Sequence, residues 1–198
     1  MMAFWLTGSC VALLCLVAEK AADPALPPEE QALAQAQATA SAFTQELLST
    51  LMAHLRAEGP VGAVSVCAEK APQLAQEHSR EGVRVGRVSL RVRNPANRPD
   101  AYEKQQLERW AEQLQRGEEV REVWTVVQEK DQRVLRYLRP IRLGELCVRC
   151  HGPRENLDPA LRQVLAQKYP EDEAVGFQAG DLRGAVSVTV LLPAKVSP

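Results

Sequence analysis

Cys147-Val148-Arg149-Cys150-His151 is the stretch around which the rest of this chain has to be read. Two cysteines three positions apart, with a histidine directly after the second, give the spacing at which the two vinyl groups of a haem are captured as thioethers while the imidazole reaches the iron. One turn of helix sets both thiols on one side and leaves the histidine beneath the ring. The surrounding chain must then build a pocket. The same five residues also occur as half of a zinc site or as a redox dithiol, so the other cysteines have to be weighed first.

The chain has 198 residues, 45% of them hydrophobic, five cysteines and a formal charge of −1. That length carries one well-buried domain, and the near-zero charge provides no field for nucleic acid. Cys10 and Cys15 lie in the apolar run Met2 to Ala18, which ends at the first charges, Glu19 and Lys20. The run reads as an export signal over residues 1–22, cleaved near Ala18 to Ala22. If it is retained, it becomes an anchor facing the periplasm. Both alternatives give a periplasmic location, where c-type haem is normally attached in bacteria. Three cysteines are then left, too few for a four-cysteine iron–sulfur cluster, and Cys67 has no disulfide partner. Zinc would need scattered further ligands, and a thioredoxin-like dithiol would need a βαβ unit leading into it.

Pro24, Pro27 and Pro28 mark a tether over residues 23–35, which leaves 36–193 for the domain. From about Gln31 to Arg56 the recurrence of Phe43, Leu47, Leu51 and Leu55 predicts an amphipathic helix ended by Gly59-Pro60. Pro60 opens a second helix with Val64, Cys67, Ala68, Ala71, Leu74 and Ala75 on one face, and Pro72 should kink it just beyond Cys67. After Gly82 the period changes to two, with Val88, Leu90 and Val92 on the inner side of a half-buried strand. Between Arg80 and Arg98 six arginines face one acid, Glu81. A solvated sheet face explains them best, with haem propionates or an acidic redox partner as the alternative.

Asp100 and Glu103 form an acidic capping box that starts a third helix, buried through Leu107, Trp110, Ala111 and Leu114 and ended by Gly117. Strands Glu122 to Gln128 and Arg133 to Ile141 follow as a hairpin that delivers the chain to the cysteine motif. Beyond it come a short helix from Asp158-Pro159 to Lys168, a strand at Ala174 to Phe177, and a last strand alternating through Val186, Val188, Val190 and Leu192. Helices first, then antiparallel strands with short helices between them, describe an α+β domain.

No methionine follows Met52, which excludes the small carriers whose second axial ligand is a methionine downstream of the haem motif. Strands on both sides of the motif fit poorly with an all-helical cytochrome. The second axial position is left to Cys67, His78, His54, Met52 or nothing. His78 lies about 16 Å along a helix from Cys67 and cannot share an iron with it. Met52 and His54 read as a core methionine and a surface histidine.

Gly59-Pro60-Val61-Gly62-Ala63-Val64-Ser65-Val66-Cys67 with Ala71-Pro72, then Arg91-Val92-Arg93-Asn94-Pro95-Ala96-Asn97-Arg98-Pro99-Asp100, Cys147 to Gly152, and Gly180-Asp181-Leu182-Arg183-Gly184 together resemble the PAS-like c-type haem domain family. Its members occur alone in the periplasm or as the sensory part of signalling proteins. The resemblance implies one covalent haem c, with thioethers at Cys147 and Cys150, His151 as proximal ligand and Cys67 as distal ligand. It also implies a PAS-like antiparallel sheet with N-terminal and flanking helices. Nothing in the chain suits a nucleophile triad, a phosphate loop or a paired-carboxylate site, so no catalysis is expected. The expected function is a low-potential redox or small-ligand sensor working through a separate redox or signalling protein. A diffusible electron carrier is the alternative.

Overall fold

The structure, a computed structural model, describes residues 26–194, so the expected export signal and the first residues of the tether lie outside the described residues. Helix α1 (Pro28–Ser65) is broken at Gly59, whose φ of 69° and ψ of −172° are not helical. Glycine reaches that conformation without a Cβ clash, and Pro60 restarts the helix where no backbone donor is needed. This is the break that Gly59-Pro60 predicts. The start differs from expectation. Pro27 is the extended N-cap, and Pro28, Glu29 and Glu30 fill the first turn, where a missing N–H does no harm and the dipole favours acids. Ala32, Ala36, Ala40 and Phe43 are buried along one stripe of the helix. The tether assigned to 23–35 therefore gives way to helix from Pro28, and the domain begins before residue 36. Alanines contribute little apolar area, which is why composition hid them, but their small size lets a helix axis approach a sheet closely.

Beyond Ser65 the helix widens into a π turn at Val66–Lys70, with Ala71 N–H donating to the Val66 carbonyl, and continues as α2 (Ala71–Glu77). Pro72 has no N–H for the Ala68 carbonyl and its ring would collide with that carbonyl in a regular helix. One extra residue in the turn removes the clash. Cys67 lies inside the π turn.

Four strands, β1 (Val83–Val88), β2 (Val123–Glu129), β3 (Gln132–Arg142) and β4 (Leu182–Leu191), make one antiparallel sheet of order β1-β4-β3-β2. α1 covers the face formed by Val83, Val85, Leu135, Tyr137, Val186, Val188 and Val190. Helix α3 (Ala101–Gln115) covers part of the other face, where Leu107 and Trp110 pack on Val88, Leu138 and Ala185. Its start is the expected capping box. Glu103 N–H donates to Asp100 Oδ1 and Asp100 N–H to Glu103 Oε2, both at 2.9 Å. The alternation within β2, β3 and β4 follows the pattern of the sequence. The strand expected through Val92 stops at Val88, because Ser89 turns its hydroxyl onto the Arg183 and Arg91 carbonyls and the chain leaves the sheet, exposing Leu90. Ala174 to Phe177 is likewise not a strand but an irregular segment. Among the described residues no helix is long and apolar enough to cross a membrane.

Gly184 lets β4 pass β1 closely. Its φ is 153°, and a Cβ there would lie 2.2 Å from the Val88 carbonyl oxygen. Gly184→Ala is expected to lower unfolding free energy by about 1–3 kcal/mol or more, read from denaturant melts, because strain and a backbone clash add. Gly117→Ala, where a Cβ meets open space, should lose less.

Candidate functional site

A 3-10 turn, Glu145–Cys147, leads into the single helical turn α4 (Val148–His151) that carries the cysteine motif. Cys147 packs against Leu143, Ala174 and Phe177. Cys150 packs against the cluster of Val64, Leu157, Leu161, Leu165 and Tyr169 contributed by α1, α5 (Pro159–Lys168) and the chain on either side of α5. α4 stops at Gly152, where a Cβ would come within 2.6 Å of the Val148 carbonyl oxygen. The short helix is then stitched to the irregular segment after α5, as Phe177 N–H donates to the His151 carbonyl and Gly176 N–H to the Gly152 carbonyl.

His151 is held on two sides. Its Nδ1 lies 2.7 Å from the Ala174 carbonyl and its ring stands edge-on to Phe177 at 6.3 Å. A carbonyl only accepts, so Nδ1 carries the proton and Nε2 keeps its lone pair. Burial, reinforced by Arg93, Arg183 and Arg87, pushes the imidazole well below its ordinary value and keeps it neutral, against the smaller opposing pull of the Ala174 carbonyl. Burial also raises the Cys150 thiol, with Arg93 opposing and Cys67 reinforcing the shift.

Arg93 overturns the solvated-face reading of the arginine-rich stretch. It is buried, with its side chain 7% exposed against 2% for its partner Asp172, and its Nε donates to Asp172 Oδ2 at 3.0 Å. Its Nη2 donates to the carbonyls of Cys150 at 2.7 Å and Ala174 at 3.2 Å. The outward phase predicted by a period of two failed here because the strand ends at Val88 and the chain turns Arg93 inward. Arg91 instead lies over the Phe177 ring at 4.3 Å, with Arg183 5.6 Å from the same ring. Arg183 is pushed down to about 10, by burial first and then by Arg93 and Arg87.

Cys67 is half-buried, and the next residue of the π turn, Ala68, packs against the same cluster as Cys150, so the π turn belongs to the same neighbourhood as α4. The other axial candidates have different partners. His78 Nε2 meets Glu46 Oε2 at 2.7 Å and its ring lies edge-on to Phe43, which gives it a structural role. His54 pairs with Glu58 one turn along α1, and Met52 is half-buried on the same helix. Among the described residues no group of three or more His, Cys, Asp or Glu is gathered as a protein-only metal site. The hydroxyl of Tyr169 is buried and has no hydrogen-bond partner among the described residues.

Sequence reasoning missed Asp172, Tyr169 and the Ala174 carbonyl, which lie in a stretch without periodicity, and gave Arg183 no role. A signal was present at Arg93, which directly follows the fully apolar position Val92.

A small α+β domain with two thiols and an imidazole in one short helical stretch, packed against the same cluster as a widened turn that carries a third thiol, defines the class. The chain belongs to the Tll0287-like family, whose family model matches residues 20–190. Among solved structures, the crystal structure of the cyanobacterial heme-protein Tll0287 has a TM-score of 0.61 and 24% identity, covering 85% of this chain and 100% of that one. At that identity the likeness shows the fold. No curated protein matches the chain. The sequence resemblance to a small c-type haem domain family is thus borne out for family and fold.

Asp172→Ala is expected to lower unfolding free energy by about 3–5 kcal/mol in chemical denaturation, since it leaves Arg93 buried without a counter-charge. Glu118→Ala, which breaks the surface pair with Arg116, should leave the transition in place.

Proposed function

We propose that the chain is a periplasmic monohaem c-type cytochrome, with Cys147 and Cys150 joined to the haem as thioethers, His151 as proximal iron ligand and Cys67 as distal ligand. The observation that carries this reading is the hydrogen bond from His151 Nδ1 to the Ala174 carbonyl, which leaves the Nε2 lone pair free for a metal on the residue after a C-x-x-C pair. The donor set fits the group. A porphyrin supplies four ligands to its iron, so an imidazole and a thiol suffice where a protein-only site needs three or more side chains. That a protein of the same fold, the cyanobacterial Tll0287, is a heme-protein adds support. Bound there, a haem would supply one-electron chemistry and, with one axial position open, small-ligand binding.

In this reading the domain is a low-potential redox or small-ligand sensor with a separate protein partner, and it is not an enzyme. Cys67 as an anionic thiolate favours the ferric state and lowers the potential. It sits in a π turn, a short insertion that often marks functional sites. Release of Cys67 on reduction would let that turn change register and α2 follow, a movement a partner can read. An electron carrier works best with the same ligands in both states.

Expression with a cytochrome c maturation system should give one haem per chain that survives denaturing electrophoresis. Haem removed by acid-acetone extraction would sink the covalent assignment. Cys67→Ala should abolish ferric thiolate-to-iron absorption and change the spin state, while His78→Ala leaves both unchanged. In redox titrations under carbon monoxide, ferrous protein should bind the gas and titrate at low potential. Unchanged ligands in both states and no gas binding favour the diffusible carrier.

A further inference from the structure

β2 is an edge of the sheet, since the order β1-β4-β3-β2 gives it β3 as its neighbour on one side and no described strand on the other. The phase of its hydrogen bonds follows from the ladder. Leu192 N–H donates to the Arg133 carbonyl, so Arg133, Leu135 and Tyr137 turn their backbone groups to β4 and the alternate residues of β3 turn theirs to β2. Those alternate residues, Gln132, Val134, Arg136 and Leu138, stand opposite Glu129, Val127, Thr125 and Val123. The N–H and carbonyl groups of Trp124, Val126 and Gln128 are then left on the outer edge, where no described residue supplies them a partner. Such an edge is normally blunted by charge, proline or a bulge. β1, at the opposite edge, carries Arg84 and Arg87 and is weakened by Gly86. The run Val123-Trp124-Thr125-Val126-Val127 has none of these, the register shift of the sheet falls between Ile141 and Arg142, and Trp124 is 45% exposed.

We propose that this edge pairs antiparallel with the same edge of a second copy of the chain, with the two-fold axis at Val126. In that register Trp124 stands opposite Gln128 of the second copy and Val126 opposite its own equivalent, so every outward N–H and carbonyl of the strand is bonded. Sliding one copy by two residues would instead set Gln128 against Glu122 or Trp124 against Lys130, both outside the strand. The flanking charges identify the occupant. The same register places Arg121 opposite Asp131 and Glu122 opposite Lys130, so the sequence on one side of the strand is the charge complement of the sequence on the other when the direction is reversed. A parallel copy would put like charges together. Arg121 is available for this pairing, since its side chain is 85% exposed and its own-chain partner, Glu119 at 3.5 Å, is 84% exposed. Trp124 lies on the face shared with Tyr137, and there Val126 and the Gln128 stem of the second copy would cover its ring.

The test is sedimentation equilibrium of the protein purified after expression of the full chain, together with hydrogen exchange over residues 123–129. A dimer is expected, and protection of the Trp124, Val126 and Gln128 amides should rise with protein concentration. Gln128→Pro, which removes an outward N–H and leaves the pairing with β3 in place, and Trp124→Lys should each give monomers. Arg121→Asp should weaken the dimer about tenfold, because a pair on each side of the axis becomes like-charged. Adding Asp131→Arg to it should restore the dimer. Arg84→Gln, on the β1 edge, should leave it unchanged. Circular dichroism reports whether each variant folds, and if Gln128→Pro does not, Trp124→Lys and the charge exchange carry the test. A chain that stays monomeric as its concentration is raised overturns the proposal, and so does a monomer with protected edge amides, in which a segment of its own chain covers β2. A dimer that survives Gln128→Pro and Trp124→Lys uses another surface and overturns it as well. Failure of Asp131→Arg to rescue Arg121→Asp overturns the register.

Discussion

The planar fork of Arg93 is the constraint on which the site depends. One guanidinium meets the Asp172 carboxylate, the Cys150 carbonyl and the Ala174 carbonyl, and so ties together three segments far apart in sequence. Asp172 extends the same tie by accepting from Ala174 N–H. Ala174 is then fixed as the acceptor for His151, and the orientation of the imidazole follows. A lysine could not replace this arrangement, because a single ammonium lacks the spread of donors that reaches all three acceptors. Burial makes the pair expensive to break, even though an apolar filling of the same volume could be as stable. The ion pair therefore matters for position more than for net stability.

The sheet and the two long helices provide the rigid frame for that arrangement. α1 and α3 cover opposite faces, and the strands deliver Arg87 and Arg183 to the end of the sheet where α4 lies. Against this frame the π turn is the irregular element. Pro72 forces it by geometry, and Cys67 occupies it. A cysteine in a regular α-helix would be held by its i→i−4 neighbours, whereas a widened turn has an alternative register nearby. Rigid placement of His151 opposite an adaptable placement of Cys67 gives the two proposed iron ligands different freedoms.

The predicted elements that the structure keeps are those whose signal is local. The Gly59-Pro60 break, the Asp100–Glu103 capping box, the Asp158 cap of α5 and the alternation of β4 each depend on residues within one or two turns of each other. The errors share one cause. The helix start was placed late because the prolines at 27 and 28 read as tether until a sheet lay against the alanines that follow, the strand through Val92 ended early because Ser89 found an acceptor on distant Arg183, and Arg93 was assigned outward by an alternation that had already stopped. In each case a residue distant in the chain set the environment.

By itself, the sequence determined the chemistry-bearing residues, since C-x-x-C-H, the unpaired Cys67 and the proline beyond it are facts of composition and spacing, and covalent reach along a helix is short-range. The tertiary structure decided which nitrogen of His151 is free, that the π turn carrying Cys67 packs against the same cluster as Cys150, and that Arg93 is interior and bound to Asp172. Those outcomes depend on burial and on hydrogen bonds between segments roughly 20 to 80 residues apart, as His151 with Ala174 and Arg93 with Asp172 illustrate. Such pairings come into being only when the sheet has closed and the irregular segment after α5 has docked on α4.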